Sequence, residues 1–439
     1  MPYESISKQR HGYLRRDYVG NRSELGVCPI LSYEEDVRGW ARTAKSRMKE
    51  HCQGLLECVA NPRLMAKAID EIGRLEMIGD VELSIVPNYY PWEWLRYLKE
   101  SILTGEFRRG LYVKHKIPKI GKQGFRTIEV PDDESRIISK TLSWLITPLL
   151  DPDFSELSFG FRPHRGVMHC LAVAEQMYQR GMRHLVCCDI RDAFGTIPKK
   201  RLLQVLRSRL HGSSVVGLME ELLDRERSRG IPQGLSLSPL CLNVYLDHFL
   251  DRWWARECPD ATLVRYADDL VVFCDSQEAA NASYDRIEQR VRSIGMKIKE
   301  TRHEAIYDLD SGHRVGWLGF SLFQKFGNLK FSVAESSWCQ LQAAFGEAKA
   351  RQDRGELLEE IQAACIGLQW LRAKAPGFEV AQIGAIADNL RGLTVAHGFA
   401  EDFVTDDRAA EAWESGIETF NRARADVVGW LPPSCTADD

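Results

Sequence analysis

The sequence has no CxxC pair, no internal repeat, no low-complexity segment and no long apolar run. Each absence removes a class of protein. A membrane helix needs roughly 20 consecutive apolar residues, and no stretch approaches that, so no membrane partner is expected. The N-terminus, MPYESISKQRHGYLRRDYVG, is polar and lacks the apolar core of a signal peptide, which makes the cytoplasm the expected location. The 12 cysteines are scattered without paired spacing, which argues against a structural zinc site. In LVCCDI and VVFCD they read as small core hydrophobes in a reducing compartment. A net charge of −4 is not the footprint of a generally basic nucleic-acid binder.

What is present is an ordinary folded composition, 44% hydrophobic and 27% charged over 439 residues, enough for about two to four domains or subdomains. Charge is distributed unevenly. Between Phe107 and Arg126 stand Arg108, Arg109, Lys114, Lys116, Lys119, Lys122 and Arg126 with no acid among them. This stretch reads as a local phosphate-binding surface or as a solvated basic loop. Acids gather elsewhere, notably in EDFVTDD.

Periodicity gives a coarse plan. MKEHCQGLLECVANPRLMAKAIDEIGRLEMI carries apolar residues at helical spacing, and PWEWLRYLKESILTGEF predicts an amphipathic helix from Pro91 to about Gly105. GKQG is a hairpin turn between YVKHKI and FRTIEV, and RIISKTLSWLITPLL is another helix. HLVCCDI has the pattern of a buried strand ending in an acid, and TLVRYADDLVVFCD of two strand arms around a turn. From about residue 335 the chain is helical again.

Asp189 therefore ends an apolar strand, while Asp268 and Asp269 sit at the mouth of a hydrophobic hairpin. Adjacent carboxylates repel unless a cation compensates. With a third carboxylate from a neighbouring strand they make a hard oxygen set suited to Mg²⁺. Two such ions can clamp the attacking and leaving oxygens of an in-line phosphoryl transfer.

From Pro91 to Phe320 an ordered set of motifs resembles the bacterial reverse transcriptases related to group II intron enzymes. The motifs are IPKIGKQGFRTIEVP, RIISK, FSELSFGFRPHRG, CDIRDAFGTIP, GIPQGLSLSPLCLNVYLDHFLD, RYADDLVVF and GWLGF. The resemblance implies an α+β right-hand polymerase with a helical N-terminal extension over 1–90, fingers over 91–185 and palm over 186–334. A fingers segment lies near 200–230, and a helical thumb and tail cover 335–439. It implies Asp189, Asp268 and Asp269 as metal ligands, joined by the carbonyl of Ile190, around two Mg²⁺ ions for which Mn²⁺ is a substitute.

It also implies Phe194 as an aromatic gate against the 2′-hydroxyl, the alternative being a ring packed in the palm core. Gln233 and Gly234 would shape the nucleotide pocket, and Arg126 and Lys116 would grip the triphosphate of a dNTP. Gly195 stands where relatives commonly carry a second acid. Relatives usually show Glu-Lys-Thr where Arg302 and His303 stand here. Arginine is a poor proton donor, so the pyrophosphate-side acid or stabiliser is sought among Lys299, Arg302 and His303. Lys119 and Lys122 would face template phosphates or solvent, and Arg162 and Arg165 would touch template or brace the fingers. Trp317 and Gly319 would support the primer end or belong to a packed strand.

The chain keeps QGLSLSP and lacks the VTG and NAxxH elements of retron enzymes and any Cys/His nuclease cluster. In this it looks like the stand-alone, defence-associated "unknown group" enzymes. That resemblance implies anti-phage immunity, with a structured non-coding RNA as template and cDNA as product. The alternatives are a retroelement enzyme acting in trans with an intron RNA, a polymerase or terminal transferase of other specificity on the same palm, and a silent RNA-binding scaffold. The sequence leaves oligomeric state open.

Overall fold

The computed structural model describes residues 52–74, 92–118, 124–353, 360–399 and 404–431. Lys119, Lys122 and most of the expected N-terminal extension lie outside them. The chain divides into two compact units, one of residues 1–116, 127–154 and 194–245, the other of residues 117–126, 155–193 and 246–439.

The first unit is mainly helical. The helix expected after Pro91 runs over Trp92–Thr104, buries Leu95, Leu98 and Ile102, and stops at Gly105. The basic stretch forms a hairpin of β1 (Val113–Pro118) and β2 (Phe125–Val130), whose tip groups with the second unit. Asp132 caps the Asp133–Leu150 helix by accepting from the Ser135 N–H at 3.0 Å, and its second oxygen accepts from the Gly110 N–H at 2.9 Å. Such a cap satisfies one of the orphan donors of a helix start. Ile137, Ile138, Leu142, Leu145, Ile146 and Leu149 fall on the buried face of that helix. A fully buried side chain of this size contributes about 1.5–3 kcal/mol.

Ion pairs organise the polar side of this unit. Arg227 grips the buried Glu129 through two hydrogen bonds of 2.9 and 2.6 Å, and Arg109 pairs with Asp224 at 2.8 Å. Arg109, part of the basic stretch, is thus committed within the fold.

In the second unit a four-stranded antiparallel sheet has the order β4-β5-β3-β6, formed by β3 (His184–Asp189), β4 (Thr262–Tyr266), β5 (Asp269–Cys274) and β6 (Ile306–Asp308). The Gln277–Ser293 helix buries Ala280, Tyr284, Ile287 and Val291 and packs against β3 and β5. A second sheet joins β7 (Val315–Trp317), β8 (Phe320–Lys325) and β9 (Asn328–Val333) in sequence order.

Helices follow from Glu335, as the sequence predicts. Leu341, Phe345, Leu371, Ile386 and Leu390 form a core among the first of them. The last helix, Asp406–Val428, adds Ala409 to that core and sends Phe420, Ala423 and Val427 into the core that contains Phe159, Val264, Phe273 and Phe320. Arg424 fastens it to Glu175 of the Val167–Gln179 helix with two bonds of 2.6 Å. The cysteines among the described residues are free thiols, and no described helix is long and apolar enough to cross a membrane.

Candidate active site

Strand β3 is apolar because it is covered: Leu185, Val186 and Cys188 are buried, and the strand ends at the partly exposed Asp189. Antiparallel register places Asp189 directly opposite Asp269, while Asp269 also pairs with Tyr266 across the β4–β5 hairpin. Asp268 lies in the turn of that hairpin, after Ala267 at φ 57°. The Ile190 N–H donates to the Asp268 carbonyl at 3.1 Å. The three acids expected to work together are therefore held at one end of one sheet. Directly opposed like charges destabilise a strand pair, so packing alone gives no reason for this register.

Electrostatics follow from that crowding. Burial, and then the negative charge of Asp189, push the Asp268 carboxyl above the usual range; Arg126 and Lys299 oppose the shift. Lys299 extends its ammonium to 3.4 Å from Asp189 Oδ2 and 3.7 Å from Glu300 Oε1. Glu300 accepts from the Asp189 N–H at 2.8 Å, and the Lys299 N–H donates to the Asp189 carbonyl at 2.9 Å. Behind the acids, burial holds the thiols of Cys170, Cys187 and Cys188 protonated by raising their pKa values.

The donor chemistry fits a divalent cation: hard carboxylate oxygens, mutually repelling, at a sheet end. Among the described residues, however, no group of three His, Cys, Asp or Glu side chains is gathered to hold an ion. Ile190 is buried beside the acids.

The other expected residues divide. In the first unit, backbone hydrogen bonds tie down the segments that carry Phe194 and Gln233. The Ile231 N–H donates to the Phe194 carbonyl at 2.8 Å, and the Glu129 N–H donates to the Gln233 carbonyl at 2.7 Å. Gly234 sits at φ 137° so close to β2 that a Cβ would lie 2.3 Å from the Glu129 carbonyl oxygen, a fit open only to glycine. Lys116 is exposed on β1.

In the second unit Arg126 is exposed at the hairpin tip and, as noted, acts electrostatically on Asp268. Of the three pyrophosphate-side candidates, Arg302 has its guanidinium paired with Asp285 and over the Tyr284 ring, whereas Lys299 reaches Asp189. His303 is exposed. Arg162 is buried and donates to the carbonyls of Ser155 and Ser158 at 2.6 and 2.8 Å. Arg165 pairs with Glu156 and stacks 4.1 Å over Trp430. Both engage in bracing. Trp317 is a core residue, whereas Gly319 occupies the β7–β8 turn, its carbonyl accepting from Ser337 Oγ at 2.9 Å.

Sequence reasoning missed Glu300, Arg265, Asp251, Asp247 and Gly160. A basic residue inside the apolar run LVRYADD and the paired acids of LDHFLD were the available signals.

Residues 117–322 match the family model described as reverse transcriptase (RNA-dependent DNA polymerase). The chain carries a reverse transcriptase domain. The fold class is the α+β right hand, and the β4-β5-β3-β6 sheet carries the three acids at one end. The reverse transcriptase domain is similar to Protein YkfC of Escherichia coli, at 25% identity over 60% of this chain and 80% of that protein. It is also similar to the group II intron-encoded protein LtrA of Lactococcus lactis, at 23% identity over 40% of this chain and 32% of LtrA. The chain thus spans most of YkfC and about a third of LtrA. Among solved structures, a partial Cas6-RT-Cas1–Cas2 complex aligns at 22% identity, over 55% of this chain and 41% of that one, with a TM-score of 0.35. Candida albicans telomerase aligns at 11% identity, over 80% of this chain and 70% of that one, with a TM-score of 0.39.

Proposed function

We propose that the chain is an RNA-directed DNA polymerase that copies a structured non-coding RNA into cDNA, in the cytoplasm, as part of anti-phage defence. The observation that carries the polymerase reading is the juxtaposition of Asp189, Asp268 and Asp269 at the open end of the palm sheet. Two Mg²⁺ ions, when bound, supply the charge that lets a primer 3′-hydroxyl attack an α-phosphate and a pyrophosphate leave. Asp189 and Asp268 would hold them, assisted by Asp269 and the Ile190 carbonyl. Arg126, already electrostatically coupled to Asp268, suits the triphosphate of the incoming dNTP, and a guanidinium can grip its oxygens in pairs. Lys116 is a second cation for the same task.

Phe194 is assigned to excluding the 2′-hydroxyl, and the network tying it to the segment before Gln233 and Gly234 keeps that segment stiff. Lys299 can return a proton to pyrophosphate from its place beside Asp189. Duplex binding would draw on basic residues, Lys119 and Lys122 among them, and weaken with salt.

The defence role rests on the motif pattern, which keeps QGLSLSP and departs from the retron elements. A second reading, a group II intron-type enzyme acting in trans, is favoured by the similarity to LtrA. Sequencing the RNA and DNA that co-purify with the protein, expressed with its native flanking DNA, separates the two. One discrete neighbouring RNA with complementary DNA supports a dedicated template; a group II intron RNA supports the retroelement reading.

A further inference from the structure

Arg265 is only 1% exposed, on strand β4 between Val264 and Tyr266. A guanidinium taken out of water is costly unless its donors are satisfied. Its Nε lies 2.9 and 3.0 Å from the two carboxylate oxygens of Asp251, and its Nη2 lies 2.6 Å from Asp251 Oδ2. Asp251 is itself buried, at the end of the π-helical stretch Asp247–Asp251. The remaining fork of the guanidinium matters most: Nη1 donates to the Ala267 carbonyl at 3.0 Å.

That carbonyl belongs to the peptide joining Ala267 to Asp268. One guanidinium therefore fixes the plane of the peptide that enters the metal-site acid, and the Ile190 N–H holds the carbonyl that leaves it. Ala267 also has φ 57°, a left-handed conformation that an alanine keeps only where its surroundings insist. The Arg265 backbone is pinned as well, its N–H donating to Leu157 and its carbonyl accepting from Phe159, both at 2.9 Å. An apolar pair of the same volume can often replace a buried ion pair without loss of stability. What it cannot do is donate to Ala267.

We propose that Arg265 and Asp251 form a positioning pair that fixes the Ala267–Asp268 peptide and thereby aims the Asp268 carboxylate for nucleotidyl transfer; neither touches substrate. The inference rests on the polymerase reading of the acids. Asp247, the other buried acid of the same stretch, extends the frame by accepting from the Ser155 N–H at 2.9 Å and pairing with Arg252 at 2.8 Å.

The test uses the full chain with Arg265→Met and Asp251→Leu combined, and Arg265→Lys separately. Melting temperature, active-site titration, primer–template affinity, KM for dNTP and kcat are measured. Mn²⁺ affinity is measured by electron paramagnetic resonance in the absence of substrate. The double variant should fold and keep duplex affinity and KM within about threefold. Its kcat per active site should fall on the order of 10²-fold, as for an ångström-scale misplacement, and its Mn²⁺ affinity on the order of tenfold. A folded double variant with wild-type kcat and wild-type Mn²⁺ affinity overturns the proposal, as does a loss of rate accounted for wholly by a smaller active fraction.

If the double variant does not fold, Arg265→Lys decides. An ammonium keeps a charge for Asp251 but lacks the planar fork that serves carboxylate and carbonyl together. A fall in kcat at unchanged KM supports the pair; wild-type kcat refutes it. Should the wild-type protein itself extend no primer, the polymerase reading fails, and the Mn²⁺ comparison still judges the pair.

Discussion

Gly160 offers a sharp probe of the β4–β5 hairpin that carries Asp268 and Asp269. A Cβ at this position would lie 2.4 Å from the Ala267 nitrogen, 3.0 Å from the Ala267 Cβ and 3.0 Å from the Tyr266 carbonyl carbon. Favourable contact begins near about 3.5 Å, so Gly160→Ala demands that backbone yield by roughly an ångström. No flexible side chain can absorb the displacement at the Ala267 nitrogen. Ala267 precedes Asp268, and the hairpin is braced from behind by Arg265, so the push passes into the position of the acid.

Overpacking of this kind costs about 1–3 kcal/mol of stability, which corresponds to a few degrees in Tm. A misplacement of about an ångström costs on the order of 10²-fold in kcat. The assay is primer extension on an RNA template with the active fraction titrated, alongside a thermal melt. A folded Gly160→Ala protein with kcat within about twofold of wild type would refute the reasoning, because it would show that the turn moves without consequence for catalysis.

Other outcomes follow from the same structure. Phe194→Ala should lower discrimination against ribonucleotides by at least on the order of tenfold, read from single-nucleotide incorporation of matched dNTP and rNTP; unchanged discrimination removes the gate. Lys299→Met should reduce kcat on the order of 10²-fold with little change in KM, whereas Arg302→Met, which loses a pair with Asp285, should leave kcat near wild type. His169, whose Nε2 lies 3.3 Å from Asp426 Oδ2, has its pKa lowered from 6.5, chiefly by burial and against the pull of that acid. The unfolded chain therefore takes up this proton first. The stability His169 contributes is complete above pH 6.5 and is lost as pH falls through that value toward the lower folded pKa. Tm measured against pH should show this decline in wild type and less of it in His169→Gln.

The clustering of the three acids was legible because their surroundings impose a strong pattern. A buried strand reads as an apolar run, and an acid at its end stands out, as in HLVCCD. The helices at Trp92–Thr104 and Asp133–Leu150 were legible from their apolar periodicity, with a glycine after the first, although the second begins before Arg136, at its Asp132 cap. Partner choice was not legible. Arg265 and Asp251 meet only because β4 and the π-helical stretch pack together, and no local period encodes that meeting.

The same holds for Arg162 and Arg165, which look alike in FRPHRG as contacts or braces until their carbonyl, carboxylate and aromatic partners are seen. Aligning Arg302 with the family lysine does not reveal its partner: a short helix turns its side chain toward Asp285, while Lys299 lies beside Asp189. The docking of Asp406–Val428 against the Val167–Gln179 helix likewise depends on tertiary contacts, although its amphipathic pattern made it a helix.

The most direct test of the central claim is primer extension on a defined RNA template with dNTPs and Mg²⁺, comparing the wild-type chain with Asp268→Asn/Asp269→Asn. The account predicts DNA synthesis by the wild type, and none by the variant while it still binds the primer–template. A wild-type protein that binds the duplex but never extends it, or a variant that extends it as well as wild type, would contradict the assignment of these acids to RNA-templated DNA synthesis.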